Sequence, residues 1–212
     1  MALIHRATLR PTKLELLATW LPGRDWYGGP AGEVERVAGF RFDDPAGEVG
    51  IETLLVRVGD GPVHQVPLTY RAAPLAGGER WLLGTVEHSV LGRRWIHDAT
   101  GDPVYAAALA SAILANTGQA EEFVQVDGRL EPRGLSMGIA GDATGGTRAP
   151  AVGTIHRVDE GDPALIVTDT VELAVLRRLD GGTALTGSVL TGTWPGQAAP
   201  APLASAAPRH GS

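Results

Sequence analysis

The sequence contains no cysteine. That excludes disulfides, a thiolate metal site and a cysteine nucleophile. Lysine is almost as scarce: of 18 Lys and Arg residues, all but Lys13 are arginine. Any mechanism that needs a lysine therefore has to use Lys13. Positive charge is not in excess either, since the formal net charge is −6. That argues against a nucleic-acid partner, because no face is expected to be basic enough to neutralise phosphates. Apolar runs long enough to span a membrane are missing. The opening MALIHRATLRPTKLELL has no apolar core followed by a small-residue cleavage site. No secretory signal and no membrane partner are expected, and the expected location is cytoplasmic.

What is present suits an ordinary globular protein: 212 residues, 43% hydrophobic and 20% charged, enough to bury a core. The clearest element is a helix from Pro103 to Thr117. Asp102 is a good N-cap, Pro103 occupies the first turn without losing a bond, and Asn116 and Gly118 supply the stop. Tyr105, Leu109, Ala112 and Ile113 recur at helical spacing, one apolar stripe for a sheet to pack on. A capping box, Thr12 to Glu15, starts a shorter helix from Lys13 to Leu21. Between the two helices the period drops to two. Strands are expected around Val34–Phe42, with Arg36 interrupting the apolar face, and at Ile51–Val58, Val63–Arg71 and Trp81–Glu87. Pro67 lacks a donor and calls for an edge or a bulge. Later strands are expected at Phe123–Leu130, Val152–Val158, Ala164–Thr168, Val171–Leu179 and Thr183–Leu190. The expected fold is α+β: a curved antiparallel sheet packed on one main helix, followed by a small additional β-unit. Its divisions are a main domain over 1–130, a Gly-rich connection over 131–150, a β-unit over 151–193, and a disordered Pro/Ala/Ser-rich tail over 194–212.

Few motifs carry chemistry. The run Gly141–Thr147 has the glycines of a phosphate loop, but Arg148 stands after it and no helix signal follows. A surface loop accounts for it better. His97-Asp98 beside Arg93, Arg94 and Trp95 is the densest polar cluster, yet no Gly-x-Ser-x-Gly elbow and no downstream metal-binding Asn accompany it. A polar turn bracing a helix N-terminus explains the cluster more simply. The six histidines, among them His5 and His210, show no metal-ligand spacing, so neither a metal nor a cofactor is expected. The five tryptophans suit sugar rings as well as core packing.

The decapeptide Trp20-Leu21-Pro22-Gly23-Arg24-Asp25-Trp26-Tyr27-Gly28-Gly29 resembles a signature near the start of the N-terminal cap domain of bacterial maltokinases. His64–Arg71 is similar to a strand of the same cap, and the segment from His97 through the main helix occupies the place of the cap's helix. The resemblance implies a cystatin-like curved sheet on a helix, followed in the family by a kinase fold that phosphorylates maltose for α-glucan synthesis. Ala164–Leu179 is similar to the first strands of that kinase fold. There the resemblance places an ATP-anchoring lysine at the position of Ala174. An alanine cannot hold phosphates, and little sequence follows, so a self-contained kinase is not expected. The expected role is non-catalytic: binding or regulation in α-glucan, maltose or trehalose metabolism. The partner would be a kinase or glucan-metabolism enzyme, or a saccharide. The contact surface would comprise Trp26, Tyr27, Tyr70, Arg71, Arg94, Trp95, His97 and Asp98, with no catalytic residue assigned. The alternative is a small carbohydrate-active enzyme with an unrecognised site.

Overall fold

In the computed structural model the chain is described over residues 2–4, 8–126, 129–143 and 151–209. Strands β1 (Ala2–Ile4) and β2 (Leu9–Arg10) precede helix α1 (Lys13–Trp20). Strands β3 (Val34–Phe42), β4 (Gly50–Val58), β5 (His64–Arg71), β6 (Leu82–His88) and β7 (Gly92–Asp98) lead to helix α2 (Pro103–Leu114). Then come β8 (Glu122–Val126), β9 (Arg129–Pro132), β10 (Gly138–Gly141), β11 (Ile155–Asp159), β12 (Ala164–Thr168), β13 (Val171–Val175), β14 (Ser188–Thr193) and β15 (Ala201–Pro208). The fold is α+β, mostly strand with two short helices. Both helix starts follow from local chemistry. Thr12 and Glu15 form the reciprocal capping box, and the Asp102 side chain accepts from Val104 N–H behind Pro103.

The first sheet has the order β2-β6-β7-β5-β4-β3, all antiparallel. Arg36 interrupts the alternation because β3 carries a bulge between Arg36 and Ala38. That bulge turns Ala38, Phe40 and Phe42 to the α2 side, opposite the face on which Val34 is buried. One face of the sheet buries Leu54, Val56, Val66, Leu68, Val86 and Ile96 against Leu17, Leu21 and Trp26. Its other face meets α2 through Phe40, Phe42, Ile51 and Leu55.

The second sheet, β10-β14-β15-β13-β12-β11, closes over the opposite side of α2, which lies against β10, β13, β14 and β15. Helix α2 is therefore a filling between two sheets. The one-sided stripe expected from sequence is present, but Ala106 and Ala110 are also fully buried, as suits a helix apolar on more than one side.

Two divisions expected from sequence are corrected here. The small β-unit is not confined to 151–193, because β10 and β15 belong to its sheet and its core is continuous with that of the first sheet. The tail is not disordered over 201–208. It forms β15, inside the sheet between β14 and β13, with Leu203, Ala204 and Ala206 buried. Its Ala/Ser composition reads as solvated coil, yet Ala204 and Ala206 are buried beside Leu203 in the core shared with α2. Of the Gly-rich connection, residues 131–132 and 138–141 are strand, while 144–150 lie outside the described residues, as do His5, His210 and 144–147 of the glycine run.

The two large sheets are joined by backbone hydrogen bonds. Gln65 N–H donates to Arg177 O (2.8 Å), Leu179 N–H donates to Val63 O (3.0 Å), and His64 bridges Arg178. The Gln65 amide adds bonds to Leu176 O and Leu203 O, both 2.9 Å. Pro67 sits where this join gives way to β7, whose pairing with β5 begins at Leu68. Its N faces the same side as that of Gln65, so the missing donor falls in the gap between the two partners.

The turn before α2 leaves no space at Gly101: a Cβ there would lie 2.2 Å from the Trp81 ring, itself buried. Gly101→Ala is therefore expected to destabilise by about 1–3 kcal/mol, the usual cost of overpacking. Thermal unfolding should show a melting point lower by several degrees, and an unchanged melting point would contradict the packing described.

Candidate functional site

At the end of β7 the chain places a carboxylate where water does not reach. Asp98 accepts from Arg177 Nη2 at 2.6 Å, and both side chains are essentially fully buried (0% exposed for Arg177, 2% for Asp98). Asp98 Oδ1 also accepts from Thr100 N–H (3.1 Å) and Thr100 Oγ1 (3.0 Å), and Thr100 Oγ1 accepts from Arg177 Nη2 at 3.2 Å. Arg177 Nε and Nη1 have no hydrogen-bond acceptor among the described residues. The guanidinium carbon instead lies 4.8 Å from the Trp26 ring centroid, where the π-face takes up part of the charge.

Trp26 belongs to an aromatic group that continues outward. Its ring meets Trp20 edge-on at 5.8 Å and Tyr27 at 6.5 Å, and Tyr27 packs on His64 at 4.7 Å. The Tyr27 hydroxyl donates to Pro30 O (2.7 Å). Arg24 lies over Trp20 and reaches Glu160 at 3.6 Å. Burial, together with the Arg178 charge, pushes His64 below the usual imidazole range. His64 is thereby held neutral against the aromatic rings.

A second polar network lies on the α1 face. Glu52 is paired with Lys13 and with Arg41 Nη2 (3.0 Å), and it accepts from the Tyr70 hydroxyl (2.8 Å). Burial alone would raise the Glu52 carboxyl. The Arg41 and Lys13 charges and the hydrogen bonds from Lys13 and Tyr70 outweigh that and hold it at about 2. Lys13 is pushed down by its burial against the pull of Glu52. The only lysine of the chain is thus committed to bracing α1 on the first sheet.

Of the residues nominated from sequence, three are corrected outright as contact residues. Trp26, His97 and Asp98 are buried, at 8%, 1% and 1% exposure. His97 and Asp98 do not act as a pair, because neighbours on a strand point to opposite faces. His97 Nε2 accepts from Leu75 N–H at 3.4 Å, while Asp98 holds Arg177. Tyr70 and Arg71 are half-buried and already engaged, Tyr70 with Glu52 and Arg71 with Asp102 through two bonds of 2.7 Å. Tyr27, Arg94 and Trp95 are half-buried. Trp95 stands between Arg71 and Thr85 in the strand register. Arg177 was not singled out from sequence. Its signal is a charged residue directly after the apolar run Leu173–Leu176, but its partner lies far away along the chain. Among the described residues no group of three His, Asp or Glu side chains could hold a metal ion, and no helix is long and apolar enough to cross a membrane.

The aromatic signature, the strands behind it and the start of α2 form one continuous segment. Residues 20–102 match the maltokinase N-terminal cap domain. The match opens at Trp20 and closes at Asp102, the α2 N-cap, so it spans the aromatic group, β3 to β7 and Asp98. Arg177 lies outside the matched segment, so the cap's buried carboxylate is neutralised by the sheet that follows it. A comparison with curated proteins gives no match.

Removing one partner of the buried pair strands the other charge, so Asp98→Asn or Arg177→Met should each destabilise by about 3–5 kcal/mol. The combined Asp98→Leu/Arg177→Met variant should recover much of that loss in a chemical-denaturation cycle, and purely additive losses would contradict the pairing. Glu52 makes a pH prediction. Its folded pKa, about 2, lies below the ordinary 4.5, so its stabilisation is complete above 4.5 and is lost as pH falls through about 2. Glu52→Gln should remove about 3 kcal/mol of that acid dependence, read from unfolding curves between pH 5 and pH 2.

Proposed function

We propose that this chain is a non-catalytic, cap-type binding or regulatory module. It would act beside a maltokinase or another enzyme of α-glucan, maltose or trehalose metabolism. The observation that carries the reading is the cap match over residues 20–102, joined to a strand whose lysine position, by resemblance, is Ala174. A methyl group offers nothing to a nucleotide's phosphates. Lys13 is no substitute, because it is paired with Glu52 on the first sheet.

The proposed contact surface keeps the accessible part of the nominated set. Trp95 and Arg94 lie on β7, whose hairpin tip carries the exposed Val90 and Leu91, at 58% and 44% exposure. Neighbours on a strand point to opposite faces, so Trp95 and Arg94 would serve on separate sides of this hairpin, and an aromatic and an arginine are each the kind of group that dominates protein and saccharide contacts.

Calorimetric titration of the purified chain tests this against maltose, longer maltooligosaccharides and a maltokinase or glucan-active enzyme from the same host. Binding to one of them is expected, and Trp95→Ala or Arg94→Ala should weaken it about tenfold or more while the melting point stays near wild type. Absence of binding to all of them would overturn the reading. So would glucan turnover by the chain alone, measured by reducing ends.

A further inference from the structure

The second sheet has a face that α2 does not use. Along β13, Val171, Leu173 and Val175 are buried toward the helix, so Glu172 and Ala174 point the other way. Leu165, Ala174 and Ser205 form one cross-strand row on that outer face, with Glu172 and Ala207 paired in the adjoining row. The segment Ala184–Thr186 folds over these rows and leaves a cavity of about 190 Å³ beneath it. The roof is held down at its downstream end. Gly187 has φ of +85°, and a Cβ there would lie 2.3 Å from Ala206 O, so this backbone is pressed against β15.

The lining has a definite chemistry. Pro163, Leu165, Ala174 and Leu185 give apolar walls, Ser205 and Thr186 add hydroxyls, and the single ionisable group is the carboxylate of Glu172 at the exposed rim. By volume the space takes a chain of roughly five to seven heavy atoms. An anion would meet Glu172 with no cation in the lining to offset it. A neutral alkyl group would leave that charge unused.

We propose that this cavity binds a primary alkylammonium group, its methylene stem along Leu165, Ala174 and Leu185 and its charged head at Glu172. The site is independent of the cap's own role. The amine could be free or could be a lysine side chain carried on a peptide.

The test uses the full chain, isotope-labelled and followed by NMR at neutral pH, where alkylamines are protonated. n-Butylamine should shift the amides of Ala174, Leu185 and Ser205 and bind about tenfold more tightly than n-butanol, a difference suited to one charge-assisted contact. Butyrate should not bind. Glu172→Gln, at an exposed position, should erase the preference for the amine, and Ala174→Leu should fill the space and block both ligands. A parallel titration with Nα-acetyl-lysine N-methylamide separates the sources: shifts at the same amides accept a peptide-borne lysine, and none assigns the site to free amines. Equal affinity for amine and alcohol, binding of butyrate, shifts confined to other residues, or an amine preference that survives Glu172→Gln would overturn the proposal.

Discussion

A guanidinium with no solvent exposure persists only where its charge is matched, and in this fold the match comes from across the two sheets. Asp98 ends β7 in the first sheet, and Arg177 follows β13 in the second. Their contact can form only if the sheets are docked with α2 between them and the Gln65 join in register. The pair is thus less a source of net stability than a condition on geometry, since misaligned sheets would leave two buried charges unpaired. Trp26 covers the guanidinium, and the aromatic group built on Trp26 depends on the same alignment.

That dependence explains which parts of the molecule could be read from sequence. Helix boundaries and most strands are set by neighbours in the chain: the Thr12/Glu15 box, the Asp102-Pro103 start, the alternation of β3 to β5. These signals are local and survive without tertiary knowledge. β15 was not legible because its periodicity is hidden by alanine. Ala204 and Ala206 are buried as completely as the core leucines, but their small side chains give composition no reason to suspect a core strand. The second buried row on α2, Ala106 and Ala110, escapes notice for the same reason.

The candidate site failed to be legible in a different way. His97-Asp98 looks like chemistry because two polar residues stand side by side near an arginine pair. Strand geometry separates them to opposite faces, and Asp98 takes as its partner an arginine 79 positions later in the chain. Polar density along a sequence measures proximity in one dimension. Only the topology decides whether those groups meet one another or are spent on distant partners. Lys13, Glu52, Arg41 and Tyr70 are the converse case: four residues on separate elements, none adjacent in sequence, forming a network with no visible motif.

The cap signature acquires a physical meaning from these contacts. Leu21 fills the α1 face, Trp26 covers Arg177, and Tyr27 packs at a tilt on His64, the residue that bridges Arg178. Trp26 and Tyr27 are thus used at the join with the following sheet, while Pro22, Gly23 and Asp25 of the decapeptide are exposed. A motif of aromatics and glycines need not mark where a ligand binds. Here it marks where the cap recognises the strand behind it, which moves the search for partners to surfaces the join leaves open, the β6–β7 hairpin and the outer face of the second sheet.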